Sequence, residues 1–334
     1  MKQITLIDIA KKAGVAPSTV SRALNDHPDV SEKTRKAIKE IAKENNFRLN
    51  PIAQGLKSNN TKTIGVIVPE IKHDFFASIL SGIEEVTYNA GYSILLCQSN
   101  ESYEREVINM DVLLHQRVAG VLASISQNTE KSDHFRKAMD RNIPLVFFDR
   151  VCEDLNTCKV VIDDEQSAFE AVTYLIEHGY KKISHFAGPK SLSICQKRLS
   201  GYSSALKEKG IGYNEQLVCY GGLHEQDGYN AMENMNRLNN LPDAIFAVND
   251  PVAIGAYQRI KELGLKIPDD VAIIGFSNNK ITSLIDPPMT TVNQPSYEMG
   301  KKAAEILLTL IENKNISDCT PTILKANLVV RGST

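Results

Sequence analysis

Residues Pro17-Ser18-Thr19-Val20-Ser21-Arg22, with Asn25 one turn later, place short hydroxyl groups, one guanidinium and one amide at helical spacing. Such groups read nucleic acid. An arginine can take guanine O6 and N7 bidentately, serine and threonine can bond base edges or phosphates, and a small apolar residue such as Ala16 or Pro17 can touch a thymine methyl. A second set of candidates lies just after short β-branched runs: Pro69-Glu70, Asp149-Arg150, Ala187-Gly188-Pro189, Asn249-Asp250 and Ser277-Asn278. Polar side chains at the carboxyl ends of parallel strands are where small molecules are usually held. The two sets differ in kind, because the first is one contiguous stretch and the second is scattered over more than 200 positions.

The elements that must position the first set are short helices. Leu6, Ile9, Ala10 and Ala13 form one helical face, Thr5 stands before it as an N-cap, and Gly14 ends it. Pro17 suits the first turn of a second helix whose buried stripe is Val20, Ala23 and Leu24. Two short helices joined by a Gly-containing turn make a helix-turn-helix, whose second helix lies in the major groove. A third helix starts at Ser31 with apolar residues at 30, 37, 38, 41 and 42. Ser31 and Thr34 stand at its N-terminus, where the helix dipole and free N–H groups favour a phosphate, although simple capping by Ser31 serves equally. Asn50 to Asn60 then begins like a helix, meets Gly55 and turns polar, so it reads as a hinge. A short helix with little to bury against is marginal in water; Leu56 is its exposed apolar residue, suited to wedging into a minor-groove step.

Charge supports the division. Residues 1–62 carry 12 Lys or Arg against 6 Asp or Glu, a net of +6, and the remainder carries −8, so the overall −2 hides a basic end on an acidic body. With 334 residues, 42% hydrophobic and 23% charged, the composition is that of a folded protein of two or three domains. Asp8 interrupts any apolar signal segment, and no later run approaches 18 apolar residues, so the expectation is a cytoplasmic protein without membrane contact. Six cysteines (97, 152, 158, 195, 219, 319) show no C-x-x-C pair and read as reduced, buried thiols.

From Thr63 onward strands alternate with helices: 64–68, 93–96, 118–123, 144–148, 159–162, 183–187, 216–220, 243–248 and 270–276 read as strands, and 75–90 and 103–116 as helices. Several helices end in Gly, as in Asn89-Ala90-Gly91 and Glu262-Leu263-Gly264. Alternation of this kind predicts parallel sheets wrapped by helices, and about ten strands are too many for one unit, so two sheets are expected with a break near Val161-Ile162-Asp163-Asp164. No G-x-G-x-x-G, P-loop or G-x-S-x-G motif occurs, and the seven histidines show no metal spacing. Neither an enzyme nor a bound cofactor or metal is expected. A sugar-binding receptor of periplasmic type without DNA function is the alternative, against which stand residues 1–60 and the missing export signal.

L-I-D-I-A-K-K-A-G-V-A-P-S-T-V-S-R-A-L-N (6–25), V-S-E-K-T-R (30–35), N-P-I-A-Q-G-L (50–56) and T-I-G-V-I-V-P-E-I (63–71) closely resemble the lactose/galactose repressor (LacI/GalR) family. Later blocks agree in order: F-F-A-S-I-L-S-G-I-E (75–84), V-F-F-D-R (146–150), R-L-S-G-Y-S-S-A-L (198–206), F-A-V-N-D-P-V-A-I-G-A (246–256), V-A-I-I-G-F (271–276) and T-T-V-N-Q-P (290–295). The resemblance implies a helix-turn-helix head (1–49), a hinge (50–61) and a body (62–334) of two doubly wound α/β subdomains, periplasmic-binding-protein-like. One subdomain would span 62–161 plus 293–323, the other 162–292 plus 324–334. It implies a homodimeric regulator on pseudo-palindromic double-stranded DNA, controlled by a small molecule, a sugar or sugar derivative first, with copies meeting on the apolar face of 72–88 and 95–118. Carried over by position, Ala16, Pro17, Ser18, Thr19, Ser21 and Arg22 would contact DNA in the major groove, with Ala53 and Leu56 at the central step; Thr5, Asn25, Ser31 and Thr34 join the DNA-binding candidates from their own chemistry and place. The effector positions would be Phe75, Phe76, Asp149, Arg198, Asn249, Asp250, Ser277 and Gln294, with Arg198 foremost; Leu192 and Ile194, just upstream of Arg198, add apolar candidates of their own. Two departures stand out. Gln54-Gly55 replaces the usual arginine and a helix-tolerant residue in the hinge, at a cost of about 1 kcal/mol in helix propensity. Ser277 stands where members commonly carry Asp after Gly-Phe, so a neutral or anionic effector is expected.

Overall fold

A computed structural model describes residues 4–45, 47, 61–313 and 319–334, which fall into two compact units, a head up to Lys62 and a body from Thr63. The hinge positions Ala53, Gln54, Gly55 and Leu56 lie outside the described residues.

The head is three helices: α1 (Leu6–Ala13), α2 (Pro17–Leu24) and α3 (Glu32–Glu44). Each boundary has a local cause. Thr5 and Asp8 form a reciprocal capping box, Gly14 takes the left-handed conformation at φ 64°, Pro17 opens α2, and the Ser31 hydroxyl accepts from the Thr34 N–H at 3.3 Å. Ile9, Ala10, Val20, Ala23, Val30, Ile38 and Ala42 form a small common core. Arg35 donates to the carbonyls of His27 (2.9 Å) and Val30 (3.1 Å), fixing the loop before α3, and Lys39 at 2.6 Å holds the Asp26 carboxyl below its usual range.

The body contains two six-stranded sheets. The first runs β11-β5-β4-β3-β1-β2, from β1 (Thr63–Val68), β2 (Ser93–Gln98), β3 (Gly120–Ala123), β4 (Leu145–Phe148), β5 (Cys158–Ile162) and β11 (Thr322–Leu324), all parallel. The second runs β12-β10-β9-β8-β6-β7, from β6 (Ile183–Phe186), β7 (Val218–Cys219), β8 (Ala244–Ala247), β9 (Ala272–Phe276), β10 (Thr290–Asn293) and β12 (Asn327–Val329), with β12 alone antiparallel. Central strands are buried on both faces: Ile67, Val121 and Phe147 enter one core, Ile64, Val66 and Leu122 the other.

Helices α4 (Asp74–Asn89), α5 (Tyr103–His115), α6 (Asp133–Asp140) and α11 (Ser296–Glu312) belong to the first lobe; α7 (Asp164–Glu177), α8 (Ser193–Glu208), α9 (Glu225–Arg237) and α10 (Asp250–Glu262) belong to the second. Glycines set the closest helix pairs. A Cβ on Gly82 would stand 2.2 Å from the Tyr297 carbonyl oxygen, and one on Gly300 2.0 Å from that of Ile79, so α4 and α11 touch backbone to backbone. Because β5, β10 and β11 each lead from one sheet to elements of the other lobe, the chain crosses three times, after Ile162, after Asn293 and after Leu324.

The α/β expectation holds, and the cysteine expectation is corrected in part. β5 and β11 are parallel neighbours, which brings Cys158 and Cys319 to a Cα–Cα distance of 4.3 Å, where they form a disulfide despite a separation of 161 residues. Local spacing carries no sign of such a pair. Cys97, Cys152, Cys195 and Cys219 are free, and burial pushes the Cys195 thiol up to about 11.

Candidate functional site

On the head, α2 buries Val20 and Ala23 against α1 and α3 and leaves Ala16, Pro17, Ser18, Arg22 and Asn25 exposed, with Thr19 and Ser21 half-buried. The exposed row is therefore a consequence of packing: the helix can present it only because two apolar residues anchor the opposite face. Among the other sequence candidates, Thr5 has its hydroxyl on Asp8 Oδ2 at 2.7 Å, and Ser31 and Thr34 share a hydroxyl contact of 2.8 Å at the start of α3. These three are engaged in capping, whereas the Asn25 amide donates to the Ser21 carbonyl at 2.8 Å and ends the helix.

In the body, a cleft of about 490 Å³, its open mouth included, lies between the two lobes. The first lobe contributes Glu70 and His73 from the turn after β1, Phe75 and Phe76 from α4, and Asp149 and Arg150 after β4; the second contributes Ile194, Arg198, Leu223, Asn249, Pro251, Ser277 and Asn279. Gln294, at the second crossing, completes the wall and accepts from the Ser277 hydroxyl at 3.0 Å. Strand ends meet here because both sheets point their carboxyl edges toward the junction. Two wall residues are held in a backbone conformation unusual for a residue with a side chain, Asp149 at φ 59° and Ser277 at φ 122°. Strain of this kind gathers where surrounding structure holds a site in place.

The charges in the wall are paired. Arg198 donates through Nε to Asp164 Oδ1 at 2.8 Å, approaches the same oxygen through Nη2 at 2.6 Å, and donates through Nη1 to the Val248 carbonyl at 2.5 Å, while its plane lies 3.6 Å over the Phe276 ring. Arg150 donates through Nη1 to both Glu101 oxygens, at 2.8 and 3.1 Å. Burial lifts the Asp149 carboxyl to about 6, against the pull of Arg150 and Arg198. Arg150 Nε, Gln294 Nε2 and Asn279 Oδ1 are buried without a hydrogen-bond partner, two donors and one acceptor left for a bound molecule.

Eight of the ten residues singled out for this cleft line it: Phe75, Phe76, Asp149, Ile194, Arg198, Asn249, Ser277 and Gln294. Leu192 and Asp250 do not. Leu192 is buried in the core before α8. Asp250 turns inward, accepting from the Asn279 N–H at 2.6 Å and the Thr291 hydroxyl at 2.7 Å, and burial lifts its carboxyl to about 6. It fits because the facing residue is Gly275, where a Cβ would stand 2.2 Å from Asp250 Oδ1. Glu70 and Arg150, strand-end candidates in the sequence, also line the cleft, whereas His73, Leu223, Pro251 and Asn279 carry no sign of it in the sequence. Ala187, Gly188 and Pro189, also strand-end residues, line a separate hollow with Lys190 and Tyr220. Although Ser277 replaces the family's usual Asp, Arg198 does not lack an acid: Asp164 enters just past the first crossing and pairs with it.

Comparison with known proteins accounts for both parts. Residues 5–50 match the family described as bacterial regulatory proteins, lacI family, and residues 172–334 match a periplasmic binding protein-like domain. The HTH-type transcriptional repressor CytR of Escherichia coli (strain K12) is 35% identical over 331 residues, covering 99% of this chain and 96% of that protein. The chain belongs to the LacI family. The HTH-type transcriptional repressor PurR of Vibrio campbellii (strain ATCC BAA-1116) is 33% identical over 97% of this chain and 98% of its own length. Among solved structures, the Lac repressor dimer bound to operator and the anti-inducer ONPF has a TM-score of 0.86 at 26% identity over 99% of both chains. A complex of the transcriptional regulator CelR with cellobiose has 0.76 at 29% identity, over 99% of this chain and 100% of that one. As a LacI-family member the chain is a DNA-binding transcriptional repressor, not an enzyme. Among the described residues no helix is long and apolar enough to cross a membrane.

Proposed function

We propose that the chain acts in the cytoplasm as a homodimer that reads a pseudo-palindromic operator through paired α2 helices and is released or retained by a small polar molecule, a sugar or sugar derivative, in the interlobe cleft. The row of side chains exposed on α2, in a segment of net charge +6, carries this reading. Ala16, Pro17, Ser18, Thr19, Ser21, Arg22 and Asn25 face base edges and the flanking phosphates; Thr5, Ser31 and Thr34 mark two helix N-termini suited to phosphate. Ala53 and Leu56 take the central minor-groove step.

Dimer formation uses α4, β2 and α5. Tyr88 is 73% exposed and Ile108 61%, with Leu96 and Val112 also exposed, and β2 is an edge strand of its sheet. Apolar side chains gathered on three neighbouring elements suit contact with a second copy. In the cleft, Asp149, Asn249, Ser277, Gln294 and Arg198 supply hydrogen bonds, and Phe75, Phe76 and Ile194 supply apolar contact. The lobes also touch at the cleft mouth, where the Lys280 N–H donates to Asp74 at 3.1 Å and the Ser191 hydroxyl donates to the Gln127 carbonyl at 3.0 Å. A ligand that prefers one lobe arrangement shifts the population toward it by its differential affinity, and with it the spacing of the heads. An operator-bound dimer excludes polymerase, hence repression.

Selection of bound duplexes from a random pool by the full-length protein tests the proposal. The expected product is a two-fold symmetric consensus with half-sites about one helical turn apart. Enrichment of sequences without symmetry would overturn the paired-helix reading.

A further inference from the structure

Asp164 does not line the cleft, yet it governs the charge that the cleft presents. It is the first residue of α7, just past the first crossing between lobes, and its Oδ1 takes both Nε and Nη2 of Arg198. Both side chains are almost fully buried. The third guanidinium nitrogen is spent on the Val248 carbonyl and one face is covered by Phe276. Arg150, the other guanidinium in the wall, is taken by Glu101 and has Asp149 at 3.8 Å from its Nε. Glu70, a further wall carboxylate, has His73 beside it at 3.4 Å. Four carboxylates thus face two guanidiniums and one imidazole.

We propose that Asp164 is a specificity-determining residue: by occupying Arg198 it makes the cleft refuse anions and accept an uncharged polar ligand. The inference rests on the cleft being the effector site. An entering phosphate or carboxylate would find both guanidiniums already ion-paired, the Arg150 Nε–H without a hydrogen bond lying 3.8 Å from Asp149, and would stand beside Asp149 and Glu70, a like-charge contact that a low-dielectric cleft amplifies. An uncharged molecule meets the unpartnered Arg150 Nε and Asn279 Oδ1 and can donate to Asp149. The position of Asp164 also ties Arg198 to the point where the chain passes between lobes, so the guanidinium is oriented from the crossing and not only from its own helix.

The test uses the full-length chain, with inorganic phosphate as anion probe and matched pairs (ribose and ribose 5-phosphate, glucose and glucose 6-phosphate), read by calorimetry and by melting temperature at fixed ionic strength. The wild-type chain should bind neither inorganic phosphate nor the phosphorylated member of any pair in the cleft. Asp164→Asn should bind phosphate at least about tenfold more tightly than wild type, and adding Arg198→Met should erase the gain. A merely structural role for Asp164 would weaken all ligands without reversing their order. Phosphate affinity unchanged in Asp164→Asn, or wild-type preference for the phosphorylated member, overturns the proposal. Should Asp164→Asn not fold, Asp164→Glu keeps the charge and must refuse phosphate as wild type does; tight phosphate binding by either contradicts the inference. Ile194→Trp fills the cleft and separates the two readings: a ligand that ignores it binds elsewhere and sinks the cleft assignment, whereas an anion that depends on the open cleft sinks the charge inference alone.

Discussion

The head and the body keep their polar groups in opposite surroundings. On α2 the polar row stands in solvent on a helix anchored by Val20 and Ala23, all within nine consecutive residues. In the cleft the charged groups Asp149, Arg150 and Arg198 are buried and ion-paired, and the wall is drawn from seven separated segments between Glu70 and Gln294. An exposed row costs the fold little and can be changed without unfolding it. A buried, charged wall is part of the fold, so stability and ligand choice depend on the same residues. The difference suits a division of labour: the head meets a large polyanion whose charge does the attracting, and the body must hold a small molecule through a few desolvated contacts.

The comparison is broken most severely at Arg198. Asp164→Asn leaves a buried guanidinium unpaired and should destabilise the body by about 3–5 kcal/mol in urea denaturation, whereas Asp164→Asn with Arg198→Met should recover most of that loss. If both variants unfold at the wild-type urea concentration, the pair is not buried as described.

Next in size is the response to acid. His185 lies fully buried between Tyr202 and Phe246, and burial depresses its pKa from 6.5 to about 4. The unfolded chain binds this proton and the folded chain does not, so between pH 6.5 and 4 the group's contribution to stability falls as pH falls, by about 3 kcal/mol in all. Asp149 and Asp250, raised to about 6, act in the opposite sense: their contribution is complete below about 4 and is lost as pH rises through 6. His185→Phe should therefore gain stability relative to wild type, by about 3 kcal/mol, on going from pH 7 to pH 4. A constant difference across that range would show that His185 does not titrate in the unfolded chain alone.

A smaller effect is expected on the exposed apolar face of the body. Ile108→Glu should weaken self-association at least about tenfold, or 1.4 kcal/mol, in sedimentation experiments while leaving the monomer's secondary structure intact. Unchanged association would move the interface off α5.

The same contrast explains what could be read from the sequence. The head was legible almost completely, because caps, turn and buried stripe are all local: Thr5, Gly14, Pro17 and Ser31 each sit at the boundary that its chemistry sets. In the cleft, strand-end reasoning together with the family resemblance found Asp149, Asn249 and Ser277. Neither could show that Asp250 turns inward toward Asn279 and Thr291, or that Asp164 reaches Arg198, since those pairings join segments 29 to 41 residues apart in the chain. The strands β10, β11 and β12, of three or four residues each, are too short for periodicity to declare, and the Cys158–Cys319 bond depends on β5 and β11, far apart in the chain, becoming neighbours in the first sheet.

The central claim, that the exposed row on α2 reads sequence and does not support the fold, is tested most directly by fluorescence anisotropy with Arg22→Ala at one fixed salt concentration. The account predicts a loss of about 1–3 kcal/mol on the selected operator, relaxed preference at one position per half-site, little change on scrambled DNA and an unaltered melting temperature. An equal loss on operator and scrambled duplexes would assign Arg22 to the phosphate backbone and contradict it.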